Sequence, residues 1–254
     1  MGAQLEGMLE GKVALVTGAS KGIGKAIAAA YAAQGAAVML SSRKQDGLDA
    51  AADEIRATVP NAALATFAAN AGEEDQAEAC IEATVARFGA LDVLVNNAAA
   101  NPYQGATIDT DLGAWDKTFR VNLRGPFVWT QCAWRAWMRE HGGRVILLTS
   151  VGGISPAGSI GTYDVTKAGL IHLAKVLAGE LAPGVTVNCI APGLVKTDFA
   201  RALWEPLGED GAAQLVQPED IADAAVYLAG PGAARVTGHT LVVDGGGLVQ
   251  RPVL

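Results

Sequence analysis

Tyr163 and Lys167 stand four residues apart at the start of a stretch that reads as a helix. That spacing puts both on one helix face, within reach of a common ligand. A free tyrosine has a pKa of about 10 and is a poor base at neutral pH. A lysine cation beside it favours the phenolate, and the pair can then give a proton to a carbonyl oxygen or take one from an alcohol. Ser150 closes the apolar run R-V-I-L-L-T-S ahead of Tyr163, where its hydroxyl can bond a substrate oxygen. Asn96-Asn97-Ala98 closes another such run, and Asn122 precedes a Gly125-Pro126 break in a long aromatic segment. Singly, these residues also fit a solvated helix face, a turn, a loop start and a helix kink. Together they point to one site, because ligands of a parallel sheet bind beyond the carboxyl ends of its strands.

A second cluster names a kind of ligand. Gly18, Gly22 and Gly24, spaced G-x-x-x-G-x-G, lie between the apolar run Lys12 to Thr17 and an alanine-rich helix from Ile23 to Gln34. A glycine turn lets backbone approach a pyrophosphate, and the free N–H groups and dipole of the following helix favour its charge. In a chain with 31 glycines an ordinary strand-to-helix loop is the other reading of this spacing.

These residues must be positioned by alternating elements. Short apolar runs, without the two-residue alternation of a half-exposed strand, predict strands over Val13–Thr17, Ala37–Ser41, Ala63–Ala68, Leu91–Asn96, Gly143–Thr149, Val185–Ile190 and Thr240–Val243. Helices are predicted over Ile23–Gln34, Asp46–Thr58, Glu73–Phe88, Leu112–Glu140, Tyr163–Leu181 and Pro218–Ala229. The rhythm is that of a single α/β domain: a Rossmann-type, doubly wound parallel sheet of about seven strands with helices on both faces. Pro126 is expected to kink or restart the long aromatic helix. Residues 197–217, with Pro206, Gly208 and Gly211, read as a variable substrate loop carrying a short helix, a lid over a pocket.

The chain has 254 residues, enough for one large domain, and a net charge of -7 that argues against a nucleic-acid surface. Cys80, Cys132 and Cys189 have no metal-ligand spacing and read as buried thiols, so no metal is expected. The N-terminus lacks the basic and apolar regions of a signal peptide. Glu6 stands where a myristoylation signal after Gly2 wants Ser or Thr. Arg251-Pro252-Val253-Leu254 is no recognised address, and no run approaches a membrane span. The expected compartment is cytoplasmic.

With these motifs in hand, the chain resembles the short-chain dehydrogenase/reductase family from Leu9 to Gly247. The resemblance is carried by T-G-A-S-K-G-I-G at Thr17–Gly24, N-N-A at Asn96–Ala98, V-N at Val121-Asn122, Ser150, Y-x-x-x-K at Tyr163–Lys167, P-G at Pro192-Gly193 and V-D-G-G at Val243–Gly246. It implies that Tyr163 is the general acid/base and that Ser150 polarises the substrate carbonyl. It implies that Lys167 lowers the tyrosine pKa and binds nicotinamide-ribose hydroxyls, and that Asn122 anchors a water of a proton relay. A nicotinamide dinucleotide would lie along Gly18, Ser20, Lys21, Gly22, Ile23 and Gly24. Ile23 would offer a backbone N–H to the pyrophosphate. Asn96, followed by Ala98, would hold the adenosine ribose, and Asn70-Ala71 would meet adenine. Beyond Pro192-Gly193, Val195 and Thr197 would fix the carboxamide. The chain departs from the family pattern at Ala99, usually glycine, at Asn70, usually aspartate, and in a shorter loop from Thr197 to Pro218. Asn101-Pro102, Trp115-Asp116-Lys117, Lys196 to Phe199 and Leu203-Trp204 look like the branch of NADP-dependent carbonyl and retinal reductases.

NADP(H) is expected over NAD(H). An acidic side chain ending the second strand would bind a ribose 2′-hydroxyl and repel a 2′-phosphate. Ser42 stands at that place, followed by Arg43 and Lys44. Arg43 can grip a phosphate with its planar fork, and Lys21 adds a cation. The leading reading is a reductase of ketones or aldehydes, reversible to alcohol oxidation. A 3-oxoacyl thioester reductase serving an acyl carrier protein is the alternative, with Arg120, Arg124, Arg135 and Arg139 as its basic patch. A catalytically silent cofactor-binding regulator is a third reading, and the complete Ser150, Tyr163, Lys167 and Asn122 set speaks against it. Trp129, Trp134 and Trp137 point in more directions than one buried face absorbs, which predicts a homo-oligomer, dimer or tetramer.

Overall fold

The computed structural model describes residues 7–156, 158–208, 211 and 215–249. The readings made above on Gly2, Glu6 and the last four residues, and on part of the 197–217 loop, lie outside the described residues.

Seven parallel strands form one sheet in the order β3-β2-β1-β4-β5-β6-β7. They are β1 (Val13–Thr17), β2 (Ala37–Ser42), β3 (Leu64–Ala68), β4 (Val93–Asn96), β5 (Gly143–Leu148), β6 (Val185–Pro192) and β7 (Thr240–Val243). Their side chains divide between two cores. Ala14, Val16, Ile146 and Leu148 enter one, packed by α1 (Gly22–Ala33), α2 (Gln45–Thr58) and α9 (Pro218–Ala229), which follows the short α8 (Arg201–Trp204) in the chain. Leu15, Val145 and Leu147 enter the other, under α3 (Glu74–Phe88), α5 (Gly125–Ala133) and α7 (Gly161–Leu181). Alanine along α1 lets it lie close to α9, and Tyr31 spans the gap, its hydroxyl donating to the Ala225 carbonyl at 3.1 Å.

The expected elements form, with shifts at their ends: β4 begins at Val93 rather than Leu91, and α7 at Gly161 rather than Tyr163. Strand β6 runs two residues further than expected, to Pro192, because Ala191 and Pro192 pair with Val242 and Val243. The long aromatic segment is helical without a break at Pro126. It passes through α4 (Leu112–Phe119), a π-helical turn (Arg120–Arg124), α5, a second π turn (Trp134–Met138) and α6 (Arg139–His141). Proline is tolerated because it sits in the first turn of α5, where the wider π turn has already interrupted the hydrogen-bond ladder.

Strand order reverses between β1 and β4, which pair directly with Val16 opposite Val95. The chain leaves β1 toward one side and β4 toward the other, opening a crevice above their carboxyl ends.

Candidate active site

A cleft of about 940 Å³ fills that crevice. Its floor is the glycine turn. Gly18 adopts φ +66°, a conformation that side chains rarely tolerate. A Cβ on Gly24 would collide with the Gly18 carbonyl oxygen. The turn therefore closes as tightly as backbone allows, and the first N–H groups of α1 face the cleft.

Asn97 holds this turn in place, a role its position in the sequence did not disclose. Its Nδ2 donates to the carbonyl oxygens of Thr17 at 2.8 Å and Gly18 at 3.2 Å. Thr17 Oγ1 in return accepts the backbone N–H groups of Asn97 and Ala98 at 3.0 and 3.1 Å. The ends of β1 and β4 are clipped together at the point where they diverge. The neighbouring Asn96 faces the other way. Its side chain is buried and donates to Thr130 Oγ1 at 3.3 Å, and the cleft is lined by Asn97 and Ala98 rather than by Asn96, where a ribose contact was expected.

At the adenosine end, Ser20, Lys21, Ser42, Arg43, Asn70 and Ala71 line the cleft. Lys44, at the N-cap of α2, is exposed and lies off it. Ser20 and Ser42 hydroxyls are 3.1 Å apart, and the one carboxylate among the described lining residues is Asp198, which reaches this end through Lys21. Asn70 Oδ1 accepts the Gly72 N–H at 3.2 Å. Lys21 pairs with Asp198 at 3.5 Å, and Asp198 also pairs with Arg201 at 2.5 Å. These cations hold the Asp198 carboxyl below its ordinary range. Arg43 forms no ion pair among the described residues.

At the other end, Ser150, Tyr163 and Lys167 line the cleft together with Pro192, Gly193, Val195 and Thr197. Ser150 leaves β5 and caps a short turn, its Oγ accepting the Gly152 N–H at 3.1 Å. The Ser150 hydroxyl also interacts with Tyr163, which favours the phenolate. Tyr163 sits in the first turn of α7 and Lys167 one turn on. Lys167 Nζ donates to the Leu148 carbonyl at 2.7 Å and lies 5.2 Å from the centre of the Tyr163 ring. Burial drives both groups toward their neutral forms: the Tyr163 hydroxyl is pushed well above the ordinary tyrosine range, and the Lys167 ammonium down to about 8. The lysine effect expected from the spacing is outweighed here by desolvation. Phe199 closes the outer side, its ring centre 6.2 Å from that of Tyr163 and tilted by 45°.

Asn122 is fully buried in the first π turn and does not line the cleft. Its side chain is bound instead by the loop after β4. Asn122 Oδ1 accepts the Ala100 N–H and its Nδ2 donates to the Ala100 carbonyl, both at 2.8 Å. Nδ2 also reaches Thr166 Oγ1 at 3.3 Å. Asn122 thus ties the loop beyond Asn96 to the helix that carries Tyr163.

Two earlier expectations change. Trp129 is only 1% exposed, packed in the second core with its indole N–H donating to Ala71 at 3.2 Å, so it is unavailable to another subunit. The supposed basic patch is largely neutralised, with Arg120 on Glu73, Arg124 on Glu74 and Arg139 on Glu140.

A family model described as enoyl-(acyl carrier protein) reductase matches residues 18–247. Dehydrogenase/reductase SDR family member 4 of Homo sapiens is 38% identical over 248 residues, covering 94% of this chain and 88% of that protein. The crystal structure of levodione reductase superposes with a TM-score of 0.87 at 29% identity, over 94% of this chain and 98% of that one. A variant of actinorhodin polyketide ketoreductase, crystallised with NADPH, gives 0.84 at 32% identity over 97% and 98%.

Proposed function

This chain belongs to the short-chain dehydrogenase/reductase family, and we propose that it is an NADP(H)-dependent reductase of ketones or aldehydes, reversible to oxidation of secondary alcohols. The observation that carries this reading is the convergence of the Ser150 and Tyr163 hydroxyls, with Lys167 behind them, on the end of the cleft opposite Arg43. When bound, a nicotinamide cofactor supplies the hydride.

The protein's own residues supply the proton and the orientation. Burial keeps Tyr163 protonated, the form that can donate to a carbonyl oxygen. Ser150 accepts from Gly152 and keeps its own proton to donate to the same oxygen, which polarises the carbonyl. Lys167, charged below about pH 8, offsets the negative charge left on Tyr163 and is positioned to bind ribose hydroxyls. Asn122 holds the Ala100 loop against α7 and so fixes the wall facing Tyr163.

Support for NADP(H) comes from Ser42 in place of a carboxylate and from Arg43 at the rim, which forms no ion pair among the described residues. The actinorhodin ketoreductase, which was crystallised with NADPH, is consistent with it. Phe199, Leu194 and Leu203 give the substrate end apolar walls, which suits an apolar carbonyl compound. The thioester alternative loses its electrostatic argument with the pairing of its arginines. We further propose one dinucleotide-binding and catalytic domain over residues 1–254, a substrate loop at 197–217, a cytoplasmic location and assembly as a homo-oligomer. No helix among the described residues is long and apolar enough to cross a membrane.

The test mixes the protein with NADPH or NADH and a panel of aliphatic, aromatic and cyclic ketones, and follows nicotinamide absorbance. Turnover with NADPH supports the reading. Binding of either cofactor without turnover of any carbonyl would return the silent-regulator alternative.

A further inference from the structure

Thr197, Asp198 and Phe199 follow one another in the chain, yet each meets a different part of the cleft. Thr197 lies over the glycine turn, where a Cβ on Gly22 would come within 3.3 Å of its Cγ2. Asp198 Oδ2 pairs with Lys21 Nζ of the same turn at 3.5 Å. The Phe199 ring faces Tyr163, with 6.2 Å between their centres. The run is fixed on both sides. Before it, the Lys196 N–H donates to the Val216 carbonyl at 3.1 Å. After it, the Trp204 indole N–H donates back to the Thr197 carbonyl at 2.7 Å. Trp204 thus ties Thr197 to α8, and a shift of Asp198 carries Phe199 with it. Among the described residues, Lys21–Asp198 is the one ion pair between this run and the glycine turn.

Lys21 has a second anion to serve. It follows Ser20, whose hydroxyl meets that of Ser42 at 3.1 Å, and Arg43 follows Ser42. Two cations therefore flank one serine contact at the adenosine end of the cleft. Resting on the reading of Lys21 and Arg43 as the seat of a 2′-phosphate, we infer that Asp198 is a positioning residue that competes with this phosphate for Lys21, so that the phosphorylated cofactor, and not the plain one, loosens the substrate wall carried by Phe199.

The physical argument is one of exchange between ion pairs. The Lys21 and Asp198 side chains are 67% and 51% exposed, so both are charged and only weakly held to each other. A phosphate monoester carries nearly two negative charges at neutral pH, against one on a carboxylate. Lys21 cannot hold both without bringing two anions together, which is unfavourable. Asp198 is not stranded when Lys21 turns away, because its Oδ1 also pairs with Arg201 on its own segment. The exchange therefore costs little. Its direction suits the reaction: Phe199 is held beside Tyr163 in the empty cleft and is released once the phosphate is seated, when substrate must enter. A cofactor without the 2′-phosphate leaves the pair closed.

The probes are adenosine 2′,5′-bisphosphate and 5′-AMP, which fill the adenosine end without a nicotinamide, so no turnover is involved. Two signals follow the segment: the emission of Trp204, identified by subtracting that of Trp204→Phe, and trypsin cleavage after Arg201. In wild type the bisphosphate should change the emission and speed cleavage by roughly two- to fivefold, the range that one exposed ion pair allows. 5′-AMP should do neither. Asp198→Asn should begin in the released state, show no further response, and bind the bisphosphate roughly two- to fivefold more tightly by calorimetry. Asp198→Glu, which keeps the charge, should retain the response. Saturating bisphosphate that leaves emission and cleavage unmoved in wild type overturns the inference, and so does an Asp198→Asn variant that responds as wild type does. Tighter binding to Asp198→Asn with a silent segment also counts against it, because removing any nearby negative charge helps an anion to bind. If the bisphosphate binds wild type no better than 5′-AMP does, the reading of Lys21 and Arg43 as a phosphate seat fails and takes the inference with it. Strong binding of the bisphosphate without a segment response removes only the inference.

Discussion

The ammonium of Lys167 donates to the carbonyl oxygen of Leu148 at 2.7 Å while lying 5.2 Å from the centre of the Tyr163 ring. One charge therefore serves two purposes. It is anchored to the end of β5, the strand that delivers Ser150, and it faces the phenol proposed to exchange a proton. Because this lysine is fully enclosed, both functions depend on its protonation.

That dependence has a sign. Burial lowers Lys167 from 10.5 to about 8, so between those values the unfolded chain binds more protons than the folded one. The desolvation cost is fully present below about pH 8 and is relieved as pH rises toward 10.5, so this residue makes stability increase across that window. The total is on the order of 3 kcal/mol. Lys167→Met keeps the stem and removes the titration. Denaturant melts of wild type and Lys167→Met from pH 7 to 10 should converge in slope outside the window and differ within it. Parallel curves throughout would mean that Lys167 titrates normally.

Tyr163→Phe keeps the ring, its contact with Phe199 and the cation above it, and loses only the hydroxyl. Turnover should fall by about 10²- to 10⁴-fold, the usual worth of a positioned proton donor, while NADPH affinity stays within a few-fold of wild type. Steady-state kinetics beside a fluorescence titration of NADPH separates the two. Retained turnover would remove the acid/base assignment.

Arg43→Asp places a carboxylate at the rim where Ser42 and Arg43 now stand. It should repel a 2′-phosphate and accept a bond from a 2′-hydroxyl. The ratio of kcat/KM for NADPH to that for NADH should fall by at least tenfold, roughly the loss of one charge-assisted hydrogen bond. A wild-type enzyme that already prefers NADH would contradict the assignment before any mutation is made.

Much of this site is legible in the sequence, and what is missed has a common cause. Gly18, Gly24, Ser150, Tyr163 and Lys167 announce themselves because backbone strain and proton chemistry restrict the residue types that can serve. The seven strands are legible because strands buried on both faces leave uninterrupted apolar runs. Which way a side chain points is not legible. Asn96 and Asn97 are adjacent and chemically identical, yet strand alternation sends one into the core toward Thr130 and the other to the glycine turn. Trp129 looks like a candidate for an interface, but it turns inward and its indole N–H donates to the Ala71 carbonyl. Asn122 suggests a kink residue, whereas its partner is Ala100, 22 positions away in sequence.

Asn97 gives a prediction that sequence reasoning alone would not make. Asn97→Ala removes the two bonds that clip the glycine turn and leaves the Thr17 carbonyl without its side-chain partner. The expected cost is about 1–3 kcal/mol of stability, with a several-fold rise in KM for the cofactor and a smaller change in kcat. Asn97→Asp, similar in shape but unable to donate, should behave like Asn97→Ala rather than like wild type. Thermal melts together with cofactor titrations measure both effects.

With Trp129 buried, self-association needs another surface, and one is present. Phe119, Leu123, Phe127, Leu173 and Val176 line a shallow apolar groove where the aromatic helices meet α7. Phe127 is 40% exposed and Val176 43%, an apolar exposure that a lone subunit gains nothing by presenting to water. A second copy, related by a two-fold axis, would cover the groove with the same residues. The groove lies on the far side of α7 from the lysine and tyrosine that line the cleft, so assembly would brace the catalytic helix without blocking substrate. Val176→Asp introduces a charge into that contact. Sedimentation velocity at micromolar concentration should show the wild type as a dimer or larger and Val176→Asp shifted to monomer, with turnover reduced through loss of bracing. A wild type that sediments as a monomer would refute the assembly, and an unshifted Val176→Asp would move the interface elsewhere.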